Sequence, residues 1–330
     1  MSRRRKIVLA LAAGALAVPL ATFAQQQAKV WRIGLLSVRS RESLVKTGRY
    51  DAFLKGMQEL GYIEGKHFVI EGRYANGEFD RVPGLAEELV RLKVDVIVAD
   101  GNAANRAAQR ATTTIPVVIT TTPDPVGQGF AASLARPGGN VTGLSSGNLE
   151  VVSKYFELIT VAVPRVPRIA VLSNPANAGH TERLQTILAA ASKTGVTVVP
   201  VAARSQEDIE RGFAQMAQER ARAVIVLADS FFAEHQWRIA ELALKRRLPS
   251  IFNTPEYPEA GGLMSYGPDL NDNFRHVATF VDKILKGTKP GELPFELPMR
   301  LYLVINRKTA KAIGLAIPQE LLLRADKVIE

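Results

Sequence analysis

The sequence predicts an α/β protein of two similar lobes, each built on a mostly parallel sheet, and three observations carry that prediction. Its 330 residues exceed one ordinary domain and suit two of roughly 150 each. From Val30 onward, short β-branched runs alternate with longer segments of helical period, the pattern of a parallel sheet covered by helices on both faces. Three segments also recur in the same order. Arg32-Ile33-Gly34-Leu35-Leu36-Ser37 is answered by Arg168-Ile169-Ala170-Val171-Leu172-Ser173. Val96–Asp100 is answered by Val224–Asp229 with one residue inserted, and Pro116–Thr120 by Pro249–Asn253. The spacings are 136, 128 to 129 and 133 residues.

In the first half the strands are expected at Arg32–Ser37, Phe68–Tyr74, Val94–Ala99, Val117–Thr121 and Val141–Leu144. Between them, a helix over Arg49–Leu60 stops at Gly61, another covers Pro83–Leu92, and Ala103–Thr112 ends ahead of Pro116. The second half repeats the scheme, with strands at Arg168–Ser173, Thr197–Val201, Ala223–Ala228 and Ser250–Asn253. Its helices are expected over Thr181–Thr194, Gln206–Arg220 and Ala233–Arg247. The tail departs from duplication: a helix over Asn271–Lys286 ends at Gly287, and a Pro-rich stretch leads to a strand at Arg300–Ile305. The architecture is therefore two Rossmann-like, doubly wound lobes.

Composition bounds the function. Hydrophobic residues make up 47% and charged residues 22%, enough apolar surface for two cores. Arg3, Arg4, Arg5 and Lys6 precede an apolar run from Ile7 to Leu20, and Thr22-Phe23-Ala24 fits a leader cleaved after Ala24. The run is shorter than the roughly 20 residues of a bilayer span. Loss of the four basic residues takes the formal charge from +10 to +6, and Lys245-Arg246-Arg247 is the one basic triplet left, so no nucleic-acid partner is expected. With zero cysteines, disulfides, thiolate metal sites and a lipidated cysteine are excluded.

Several motifs carry a family resemblance across essentially the whole mature chain. They are Glu59-Leu60-Gly61-Tyr62, Leu89–Val98, Ile115-Pro116-Val117-Val118, Asp124-Pro125-Val126-Gly127 and Leu134–Gly143. Asn174-Pro175-Ala176-Asn177, Gly261–Pro268 and Asp282–Gly287 complete the set. In these the chain resembles the ABC transporter substrate-binding proteins that include the tryptophan/tyrosine-binding periplasmic proteins, a branch of the type I periplasmic binding proteins. The resemblance implies two lobes joined by a hinge, residues 25–145 with 271–296 and residues 146–270 with 297–330, the chain crossing three times. It further implies a ligand cleft between lobes, an amino acid or related cargo, and an inner-membrane ABC permease as partner. The loop Ser37–Arg41 departs from many relatives in carrying two arginines, Arg39 and Arg41, a difference that bears on the cargo.

In open parallel sheets, ligands sit beyond the carboxyl ends of the strands. That rule selects Ser37, Arg39, Asp100, Gly101, Asn102, Asn105, Thr121, Thr122 and Asp124 in the first lobe. In the second it selects Ser173, Asn174, Asn177, Asp229, Ser230, Asn253, Thr254 and Glu256, and Tyr266 could line the hinge or the cleft. Asp100, Asp124 and Asp229 are candidate partners for an ammonium group. Ser, Thr and Asn side chains and helix N-termini could meet a carboxylate, and Arg39 could grip an anion. The same residue types serve equally as helix caps and turn formers, and Phe231 and Phe232 could stack on cargo or simply fill a core.

Catalytic and cofactor motifs are absent from the sequence. His67, His180, His235 and His276 are not spaced as a metal pair on one helical face, and there is no Gly-x-Ser-x-Gly elbow or phosphate-binding loop ending in Gly-Lys-Ser/Thr. The expected protein is thus a monomeric periplasmic solute-binding protein without catalytic residues, metal or cofactor. A periplasmic sensor docking on a membrane receptor is the alternative, and an α/β enzyme a more distant one, since fold does not choose between these functions.

Overall fold

A computed structural model describes residues 29–145, 150–177, 179–297 and 300–330. The leader, its cleavage point after Ala24, and residue 146, where the second lobe is expected to begin, lie outside the described residues.

In the first half the chain runs β1 (Trp31–Ser37), α1 (Arg41–Lys46), α2 (Arg49–Glu59), β2 (Phe68–Tyr74), α3 (Val82–Arg91), β3 (Val96–Asp100), α4 (Asn102–Ala111), β4 (Val117–Ile119) and β5 (Val141–Gly143). After α5 (Glu150–Ala162) come β6 (Arg168–Ser173), α6 (Gly179–Ala191), β7 (Thr197–Ala202), α7 (Gln206–Gln218), β8 (Ala223–Val226), α8 (Ser230–Glu234), α9 (Gln236–Lys245), β9 (Ser250–Phe252), α10 (Glu256–Glu259) and β10 (Met264–Gly267). The chain closes with α11 (Leu270–Leu285), β11 (Tyr302–Asn306), α12 (Arg307–Ile313), α13 (Gln319–Arg324) and β12 (Lys327–Ile329).

The strands form two sheets, in the orders β2-β1-β3-β4-β5 and β12-β11-β10-β9-β8-β6-β7. Strands β6 to β10 reproduce the order of β1 to β5, and the three recurring sequence segments fall on equivalent strands, β1 with β6, β3 with β8 and β4 with β9. All pairings are parallel except β10 with β11. The central strands are buried throughout, as β3 and β8 show, because helices cover both faces and no alternation is needed. Edge strand β7 does alternate, and it tolerates Pro200 because its outer N–H side has no partner strand.

Helix α11 follows β10 of the second sheet in sequence but packs in the first core. Phe274, Val277, Phe280 and Val281 join Ile33, Leu35, Phe53 and Met57 in one buried cluster. The segment after it runs beside β5, with Leu144 bridged to Glu296 and Thr142 Oγ1 donating to Leu293 O at 2.7 Å. The chain therefore changes sheet three times, between β5 and β6, between β10 and α11, and before β11.

Two local expectations are corrected. The single helix expected over Ala233–Arg247 is two helices: Asp229 caps α8 by accepting from the N–H groups of Phe231 and Phe232, which starts the helix early, and the path breaks at His235 before α9. Helix α5 was not anticipated, because its Val, Ile and Thr content has poor helix propensity. Burial of Val152, Tyr155, Phe156, Leu158 and Ile159 against the second sheet overrides that preference.

The contact of α2 with α11 is close because Gly56 has no side chain. A Cβ there would overlap the Arg275 carbonyl oxygen and approach Ala278 Cβ at 2.9 Å. Arg275 ties the same pair together through Nε and Nη2 on Glu59, both at 2.7 Å. Gly56→Val is expected to lower stability by about 1–3 kcal/mol through overpacking, measured as the shift of the denaturant midpoint. An unchanged midpoint would refute this close packing.

Candidate functional site

Loops at the carboxyl ends of both sheets converge on one cleft of about 130 Å³. Eleven of the eighteen residues chosen from the sequence line it. Arg39, Asp100, Gly101, Asn102, Thr121 and Thr122 come from the first half, and Asn177, Asp229, Ser230, Asn253 and Thr254 from the second.

The other seven lie elsewhere, Glu256 among them as the partner of Arg49. Ser37 is fully buried behind Asp100, donating to its Oδ2 at 2.9 Å, and Asn105 is buried with its Nδ2 on Thr121 O. Asn174 supports Asp229 from behind the lining, its Nδ2 on Asp229 Oδ1 at 3.1 Å. Ser173 donates to Val201 O at 3.4 Å at the end of β6. Asp124 is exposed and accepts from the N–H groups of Val126 and Gly127, so it serves as a turn former, on a neighbouring surface groove. Tyr266 packs on the second core from β10. Phe231 and Phe232 are also core residues, 4% and 0% exposed.

The two lobes place a carboxylate at equivalent strand ends. Asp100 ends β3 and accepts from Ser37 Oγ and from Thr120 Oγ1 at 3.1 Å. Burial pushes its pKa up, against the pull of the Arg49 guanidinium and the two hydroxyls. Asp229 follows β8 and receives Asn174 Nδ2, Asn177 Nδ2 at 2.8 Å, and the N–H groups of Phe231 and Phe232. Its capping role and its place in the cleft are one arrangement.

Sequence reasoning missed two arginines that line the cleft. Arg49 opens α2 and is 1% exposed. Its Nη2 donates to Glu256 Oε1 at 2.9 Å, while Nε and Nη1 have no partner. Arg183 on α6 is 7% exposed and donates from Nη1 to Ala228 O at 3.1 Å, and burial lowers its pKa. Both sit within helices in sequence, away from strand ends, so the rule that found the loop residues could not reach them. The apolar lining includes Val151, Val152 and Tyr155 of the unanticipated α5, together with Leu227, Pro268 and Leu270.

The cleft is bridged at its rim. Ser40 donates from Oγ and N to Glu234 at 2.7 and 3.1 Å, Arg49 meets Glu256, and Asn102 Nδ2 approaches Asn177 Oδ1 at 3.4 Å. Gly101 permits this approach: a Cβ there would collide with Ser230 Oγ, and its φ of +92° is a conformation that favours glycine.

Comparison with known proteins places these features in a family context. The profile of the ABC transporter substrate binding protein family matches residues 32–329. The tyrosine-binding protein of Clostridioides difficile is 23% identical over 329 residues, covering 96% of this chain and 94% of that protein. A Streptococcus pneumonia ABC domain in complex with L-Trp superposes with a TM-score of 0.82 at 28% identity, covering 91% of this chain and all of the other. A conserved domain protein from Vibrio cholerae superposes with a TM-score of 0.83 at 29% identity and the same coverage.

Behind the cleft, His180 Nδ1 accepts from Asn174 N at 2.8 Å and Nε2 donates to Ala228 O at 3.0 Å, an arrangement that requires the neutral ring. Burial lowers its pKa, and Asp229 only partly offsets this. Below about pH 6.5 the unfolded chain takes a proton that the folded ring refuses, so stability falls as pH drops from there. His180→Gln is expected to flatten this acid limb in denaturation series between roughly pH 7 and pH 5; identical slopes would contradict the neutral-ring assignment.

Proposed function

Because the chain belongs to the ABC transporter substrate binding protein family, we propose that it is the capture component of an ABC importer. It holds one small polar molecule, an amino acid or a related compound, between two lobes in the periplasm and presents it to an inner-membrane permease. The observation that carries this reading is the buried Arg49 guanidinium on the wall of the cleft, two of whose nitrogens have no protein partner. A buried donor left unmet costs about 1–3 kcal/mol, so an acceptor supplied by a ligand is strongly favoured there.

The lobes comprise residues 25–145 with 271–296 and residues 146–270 with 297–330, and they move about the three crossings. Closure brings Ser40 to Glu234 and Arg49 to Glu256, so a ligand that touches both halves stabilises the closed state by its differential affinity for it. The relatives named for tyrosine binding and solved with L-Trp support an amino-acid-like cargo. The basic, apolar leader ending at Ala24 supports export, and no helix among the described residues is long and apolar enough to cross a membrane. The protein acts as a monomer, with no catalytic step and no nucleic-acid partner.

Thermal shift and small-angle scattering across a broad amino-acid and organic-acid panel test this reading. A bound solute at about one hundred times Kd adds about 2.7 kcal/mol of stability and is expected to compact the protein; no compaction or stabilisation by any solute would refute it. Glu234→Ala removes the rim bridge to Ser40 and is expected to weaken binding about tenfold, mainly through faster release, as followed by stopped-flow kinetics.

A further inference from the structure

The charged groups of the cleft are unequally committed. Asp229 already receives four donors, three on Oδ1 and one on Oδ2. Asp100 is divided between the hydroxyls of Ser37 and Thr120, and burial raises its pKa. Asp124, the third candidate partner for an ammonium group, is outside the lining. The guanidiniums stand differently. Arg49, Arg39 and Arg183 are 1%, 3% and 7% exposed, and the two free nitrogens of Arg49 are the unmet donors of the lining. Arg39 is steadied through Nε and Nη2 on Ser43 Oγ, at 3.2 and 2.8 Å.

Three buried guanidiniums thus face three carboxylates: Asp100 and Asp229 already hold donors from the protein, and Glu256 pairs with Arg49. An ammonium group would have to compete with those donors, whereas an anionic oxygen meets the unpartnered Nε and Nη1 of Arg49. The size of the cleft bears on the rest of the molecule: its volume of about 130 Å³ is close to the about 150 Å³ of an apolar cavity that takes benzene. Val152, Tyr155, Leu227 and Pro268 give that space apolar walls.

We infer that the ligand is a compact organic carboxylate whose anionic group is taken by the unpartnered nitrogens of Arg49 and whose apolar body needs no ammonium group. This rests on reading the cleft as a solute site and names the class of solute. Arg49 sets the position of the carboxylate, Arg39 and Arg183 supply the surrounding positive field, and Asp229 acts as a scaffold that holds Asn177 and the start of α8.

The test is titration calorimetry on the full mature chain, refolded from denaturant to strip co-purified solute, with two matched sets. One is isocaproate, L-leucine and isoamylamine; the other is hydrocinnamate, L-phenylalanine and phenethylamine. In at least one set the acid is expected to bind as tightly as its amino acid or within about tenfold, while neither amine binds. An amino acid that binds at least about a hundredfold tighter than its acid, or an amine that binds, overturns the inference and leaves the solute-binding reading intact. If neither set binds but other solutes in the broad panel compact the protein, the inference falls alone; if that panel also fails, the reading falls with it. Arg49→Lys keeps the charge facing Glu256 and is expected to keep the melting temperature within a few degrees while weakening the acid at least about tenfold. Unchanged affinity in that variant would overturn the role of Arg49, and should it not fold, the matched sets on the unmodified chain still decide.

Discussion

A guanidinium removed from water must be compensated, and the cleft is organised around one that is compensated only in part. Arg49 is 1% exposed and meets Glu256 through a single nitrogen. Removing such an ion from water costs several kcal/mol unless partners replace the solvent. Arg49 stands on the first half and Glu256 on the second, so the compensation exists only while the halves are together. The charge balance of the site and the relative position of the lobes are therefore one variable. A ligand that meets the remaining donors acts on both.

Duplication explains how two lobes can share such a site. In each, a carboxylate stands at or just after the third strand of the order and is held by a side chain at or just after the second, Ser37 on Asp100 and Asn174 on Asp229. The lobes then diverge at the next residue. Asp229 closes directly onto the N-terminus of α8, whereas Asp100 is followed by Gly101 in a conformation open to glycine. Bare backbone at Gly101 leaves room for Ser230 to approach. One half contributes the prop and the other the gap.

The crossing helix α11 ties the halves into one unit. It leaves the second sheet at Gly267, fills the first core with Phe274, Val277, Phe280 and Val281, and its Asn273 Nδ2 reaches Thr120 O at 3.2 Å, beside the hydroxyl that holds Asp100. Packing of α2 against α11 sets where α2 begins, and α2 begins with Arg49. The position of the least satisfied charge in the cleft thus follows from a helix contact on one face of the first sheet.

Much of this was legible in the order of the residues. Runs such as Val96–Ala99 and Val224–Val226 read as buried strands because a sheet covered on both faces asks for unbroken apolar residues, and their recurrence revealed two lobes with one strand order. Strand-end loops were found by a topological rule, which reached Asp100, Gly101, Asn177 and Asp229. Arg49, Arg183 and Tyr155 could not be found that way. They lie inside helices, where a polar or aromatic side chain has the same spacing whether it faces solvent, core or ligand. Which of these it faces is set by how helices pack across the sheets. That packing joins residues more than two hundred positions apart, as in Arg49 and Glu256, and no local pattern records it.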